Sequence, residues 1–115
     1  MAIDVDLYDN SNGSWGTEYS LTNGSTSVAT KTDIGIFSCF IDFGALLAGD
    51  QYRIRLYEKA RTGGSQAVLW EAMVTGPQSA LFTSPSHILG IGWDFTVKRI
   101  AGSDRTITSS IRAVQ

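Results

Sequence analysis

The run Tyr52 to Arg61, the turn Thr62-Gly63-Gly64-Ser65 and the return Gln66 to Val74 limit the fold more tightly than any other stretch of this chain. Tyr52, Ile54 and Leu56 alternate with Arg53, Arg55 and Tyr57, the period of two that a half-buried strand uses. The paired glycines supply the positive φ angles of a tight turn, and the return run is again β-prone. The result is a β-hairpin with one buried and one wet face. The rest of the chain lays against it as further antiparallel strands.

Ile3, Val5 and Leu7 alternate with Asp4, Asp6 and Tyr8 and read as a half-buried first strand. Asp33–Phe43 is apolar at both parities, with Phe37, Cys39, Ile41 and Phe43 on one face and Ile34, Ile36 and Phe40 on the other. Such a strand expects cover on both sides, from a second sheet plus an N-terminal arm or from a neighbouring subunit. Gly76-Pro77-Gln78-Ser79 and Ser84-Pro85-Ser86 break the chain around a brief strand at Ala80–Thr83. A long strand is expected from His87 to Ile100, and a last one from Arg105 to Val114. Six to eight strands with no helix-length periodic segment predict an all-β antiparallel β-sandwich, jelly-roll or immunoglobulin-like, forming one domain over residues 1–115. Its core is expected to collect Phe37, Ile54, Leu56, Trp70, Trp93, Phe95 and Ile111.

Residues 9–31 break this pattern. Asn, Ser, Gly and Thr dominate, and the stretch reads as an extended loop or arm with one or two short edge strands, near Glu18–Leu21 and Ser27–Thr30. Trp15 and Tyr19 stand in it without periodic apolar neighbours, and a large ring there must bury itself against the domain or a partner. The expectation is an arm that orders on another chain with Trp15 and Tyr19 as anchors. On the hairpin's outer face Arg53, Arg55, Tyr57 and Lys59 have the composition of an interface patch, and equally of a solvated face.

At 115 residues and 43% hydrophobic content the chain can own a core. Nine basic against eleven acidic residues give a net charge of −2, without the basic footprint that nucleic acid requires. The N-terminus has no basic n-region, and the longest uncharged apolar run, Ile34–Ile41, is too short to span a bilayer. No membrane partner is expected. Cys39, the single cysteine, excludes an intramolecular disulfide.

Asp4, Asp6, Asp9, Asn10, Asn12 and Glu18 cluster oxygen donors but fail the calcium-loop template. With Gly13 in its glycine position, Tyr8 and Tyr19 fall where the first and last ligands belong. His87 has no glycine-framed nucleophile beside it, and nothing helical follows Gly90 and Gly92 to hold a phosphate. No metal, cofactor or catalytic residue is expected, and the chain reads as a non-enzyme. Trp70 and Trp93 fall on inward parities, so core packing outweighs sugar stacking, with a glycan-binding module kept as an alternative.

Three segments carry a resemblance: Ala48 to Lys59, Gly90 to Lys98, and Gly102 to Ile107 with Ser110-Ile111-Arg112. Together they resemble small single-domain structural proteins of tailed bacteriophages, over about Asp33 to Gln115. The resemblance implies a virion component made in the host cytoplasm, of the capsid decoration (cement) type, that forms homo-oligomers. Its implied partners are the phage major capsid protein, at subunit junctions, or other virion proteins. A tail or head–tail connector protein is the alternative. The family has no active-site residues to carry over.

Overall fold

The computed structural model describes residues 2–115. It contains nine strands: β1 (Ile3–Asn12), β2 (Tyr19–Ser20), β3 (Gly35–Asp42), β4 (Gln51–Lys59), β5 (Gln66–Thr75), β6 (Phe82–Thr83), β7 (His87–Leu89), β8 (Asp94–Ala101) and β9 (Ile107–Val114). They form two antiparallel sheets. The first runs β1-β9-β3-β6 with β7 also on β3, and the second runs β2-β8-β4-β5. Outside the β4–β5 hairpin and the β6–β7 pair, every connection crosses from one sheet to the other. That connectivity is jelly-roll, not immunoglobulin-like.

Strands β6 and β7 pair with successive parts of β3, Phe40↔Thr83 and Ile41↔Phe82, then Gly35↔Leu89 to Phe37↔His87. They act as one strand interrupted at Ser84-Pro85-Ser86, which brings the nine strands to eight functional ones. Proline cannot donate to a ladder, and Ser84 repairs the gap. Its N–H donates to the Cys39 carbonyl at 2.9 Å, and its hydroxyl accepts the Cys39 N–H at 2.8 Å.

The core lies between the sheets. Phe37, Ile54, Leu56, Trp93, Phe95 and Ile111 are wholly buried, as strand parity requires. Trp93 packs 4.3 Å from Phe37 and satisfies its indole N–H on the Asp33 carbonyl at 2.9 Å. Trp70, nearer the sheet edge, is half-buried with its ring 6.0 Å from Phe82.

Four expectations change. The strand expected over His87–Ile100 is two strands, because Gly90-Ile91-Gly92 carries the chain from the first sheet to the second. Gly92 adopts φ +128° there, a conformation that L side chains rarely take. In β1 a bulge between Asp4 and Tyr8 shifts the register, so Ile3 and Val5 face solvent while Leu7 and Tyr8 pack on the core. A second irregularity, between Leu56 and Tyr57, leaves Leu69 unpaired and turns Val68 outward. Finally, residues 9–31 are no free arm. Asp9–Asn12 extend β1, β2 pairs with β8, and Lys31 bridges Trp93. Of the one or two edge strands expected in this stretch, one forms, Tyr19–Ser20.

Candidate functional site

The outer face of the second sheet gathers Arg53, Arg55 and Tyr57 from β4, as the alternation of the hairpin placed them. Glu18, just before β2, reaches over this face. Its carboxylate accepts the hydroxyls of Tyr57 and Thr96, each at 2.6 Å, and stands 3.9 Å from Arg53. Glu71 on β5 takes the Arg55 guanidinium. Burial, together with the bond to Glu18, raises the Tyr57 hydroxyl pKa. The hydrogen bonds to Glu71 and Tyr57 keep Arg55 firmly protonated. The patch is thus largely neutralised within the chain. Lys59 lies apart from it, its stem packed over Gly92.

Trp15 and Tyr19 are not part of that face. Trp15 is 0% exposed, its ring edge-on to Tyr19 at 5.2 Å and to Tyr52 at 6.3 Å, and its indole N–H donates to the Arg105 carbonyl at 2.8 Å. The expected partner anchor is a core residue. The polar stretch around it is held by Asp94, whose carboxylate accepts the Ala29 N–H at 2.8 Å and the Thr22 hydroxyl at 2.7 Å. Desolvation raises the Asp94 pKa against the pull of these donors.

The residues that carry chemistry elsewhere stay apart here. His87 sits on β7 with Nδ1 on the Pro85 carbonyl, whereas Asp94 is buried on the other sheet. Cys39 is wholly buried, and desolvation pushes its thiol pKa up, away from the thiolate that reactivity requires. Among the described residues no cluster of three His, Cys, Asp or Glu side chains is placed to hold a metal, and no helix is long and apolar enough to cross a membrane. The twelve aromatic side chains are all buried or half-buried.

The unassigned surface is the outer face of the first sheet. Ladder partners Ile3↔Val114, Val114↔Ile36 and Ile36↔Ile88 set four aliphatic residues in one row across the sheet. Directly opposed residues share a face, and Ile3, Ile36 and Ile88 are 78%, 44% and 83% exposed. Beside the row a groove of about 440 Å³ is lined by Val5, Phe40, Pro85 and Arg112. The Arg112 guanidinium lies 3.8 Å over the Phe40 ring. Beyond it a polar hollow of about 530 Å³ brings Asp6, Asp9 and Asp42 to its rim. The face is therefore an apolar band with an acidic border. Only the two-sided apolarity of Asp33–Phe43 announced it; simple alternation placed Ile3 and Val5 inside, because the β1 bulge leaves no mark in composition.

Fold and surface together define a small jelly-roll sandwich with an uncovered aliphatic sheet face. No family model and no curated protein sequence matches the chain. Among solved structures, a crystal structure of a Yersinia pseudotuberculosis-derived mitogen is similar at 11% identity and a TM-score of 0.49, covering 99% of this chain and 86% of that one. At that identity and score the likeness bears on neither partner nor activity.

Proposed function

We propose that the chain is a non-enzymatic structural protein that docks the outer face of its first sheet onto another protein. Following the resemblance carried by its hairpin and last two strands, the partner is the major capsid protein of a tailed phage, and the chain decorates and braces the shell. The observation that supports this reading is the row Ile3–Val114–Ile36–Ile88. Aliphatic side chains lined up across four strands in water cost free energy that a partner surface recovers, and contiguous apolar patches mark interaction sites. The acidic border formed by Asp6, Asp9 and Asp42 asks for an apolar ridge flanked by Lys or Arg on the capsid side. A tail or connector protein would use the same face, at another place on the particle.

The test uses particles stripped of the decoration. A double variant, Ile36→Glu with Ile88→Glu, should remain folded, since both positions already face solvent, and should lose affinity for the shell by about a hundredfold. Arg53→Ala on the opposite sheet should bind as the parent does. Undiminished binding by the folded double variant refutes the reading.

A further inference from the structure

A sheet edge left open is a template for another strand, and proteins blunt such edges with charge, proline, bulges or brevity. Three of the four edges here are blunted in these ways. Strand β1 carries Asp4, Asp6 and Asp9 and a bulge, β6/β7 is broken by Pro85, and β2 is two residues long with Ser20 bridged to Ser25. The fourth edge, β5, is ten residues long with no proline and no lysine, and its one irregularity, at Leu69, lies outside the regular stretch Trp70–Thr75. Its one charge, Glu71, is held by Arg55, and Val68, Leu69 and Met73 are exposed along it.

We propose that β5 pairs antiparallel with β5 of a second copy of this chain about a two-fold axis at Ala72, joining the two second sheets into one eight-stranded sheet. This inference stands independently of the virion reading. The register follows from the faces that β4 fixes. Trp70, Ala72 and Val74 lie opposite Leu56, Ile54 and Tyr52 and face inward, whereas Glu71 and Met73 lie opposite Arg55 and Arg53 and face outward.

An axis at Ala72 sets Trp70 against Val74 of the second copy and Glu71 against Met73 of the second copy. The inner rows then read Leu56, Trp70, Val74, Tyr52 across the seam, wholly apolar, and the half-buried Trp70 gains cover. The outer rows read Arg55, Glu71, Met73, Arg53, so each Glu71 lies two strand spacings, about 10 Å, from the second copy's Arg53, with that copy's Met73 between them. Arg53 Nε is a buried donor with no acceptor in the single chain, 4.0 Å from its own Glu71. Neighbouring registers are worse. An axis at Glu71 opposes two carboxylates, one at Trp70 puts the irregularity at Leu69 into the ladder, and one at Met73 strands Trp70 beyond the partner's strand end.

The test combines sedimentation velocity on the full chain with cysteine cross-linking. The parent should sediment as a concentration-dependent dimer. Met73→Glu should raise the dimer dissociation constant by about tenfold or more, because it sets like charges against Glu71 of the second copy. Its own fold is spared, since the new carboxylate faces Arg53 within the chain. Directly opposed antiparallel residues have Cα atoms about 4.5–5.5 Å apart, within disulfide reach. Under mild oxidation Ala72→Cys should therefore cross-link, and Val68→Cys and Thr75→Cys should not. The proposal is overturned by a monomer at every concentration, including one that captures an extended peptide along β5. It is equally overturned by a dimer indifferent to Met73→Glu, or by cross-linking at Val68→Cys or Thr75→Cys as efficient as at Ala72→Cys.

Discussion

Trp15 is fixed by the rings of Tyr19 and Tyr52, by the Arg105 carbonyl that takes its indole N–H, and by Asp104 Oδ1, which accepts its backbone N–H at 3.2 Å. Its own N–H groups are satisfied without water, and its side chain closes the end of the sandwich where β2, β4 and the β8–β9 connection meet. Replacement by alanine removes a wholly buried indole and leaves a cavity in the core. Trp15→Ala is expected to cost about 3–5 kcal/mol, a large part of the total stability of a domain this size. Urea unfolding of the purified variant reads this directly. A variant as stable as the parent would mean that the ring contributes nothing to the core.

Among the connecting elements, the turn before β4 and the turn before β9 are joined by one carboxylate. Asp50, 2% exposed, accepts the N–H groups of Leu47 at 2.8 Å and Ser103 at 3.0 Å, and pairs with the Arg105 guanidinium at 2.7 Å. Gly102 is required between them, with φ +84° and no room for a Cβ against Asp50. The bond to Arg105 and those to the two backbone N–H groups hold the Asp50 carboxyl well below the usual carboxylate range. A folded-state pKa below the unfolded one means that its stabilisation is complete above the unfolded value of about 4 and fades as pH falls from there toward the folded value. Asp50→Asn keeps the shape but loses the ion pair, so the variant should be less stable at neutral pH. The gap between parent and variant should narrow steadily below about pH 4. Thermal midpoints of both proteins across pH 2–7 check the sign; a gap that widens in acid contradicts it.

For the whole molecule, the decisive strand is the last one. Strand β9 lies between β1 and β3 and pairs with both, Asn12↔Ile107 through Ile3↔Val114 on one side and Asp42↔Thr108 through Ile36↔Val114 on the other. Residues more than a hundred positions apart must meet before the first sheet exists. Apart from the β4–β5 hairpin, little of the fold is local, so folding is expected in milliseconds to seconds. A chain ending at Arg105 loses Ile107, Ile111 and Ala113 from the core and leaves β1 without a partner strand. It should show no cooperative thermal transition and no protected amides in β3, whereas the full chain shows both. Protection of β3 in the truncated chain would show that the second sheet can carry the fold alone.

The sequence by itself determined the all-β class, the β4–β5 hairpin and the inward residues of every strand whose period of two runs unbroken. Phe37, Cys39 and Ile41 on β3, Ile54 on β4 and Ile111 on β9 are buried because the pleat alternates side chains regardless of what the strand packs against. It also placed Arg53, Arg55 and Tyr57 together on one face. It did not determine where the alternation slips, because a bulge is set by the partner strand and not by the bulged residues. Ile3, Val5 and Val68 therefore face solvent against their local pattern. Nor did it show that Trp15 lies under the β8–β9 connection, ninety positions away, or that Gly90-Ile91-Gly92 moves the chain between sheets. Both depend on contacts between distant segments, and so does the aliphatic row on the first sheet, which exists only once β1, β9, β3 and β7 are side by side.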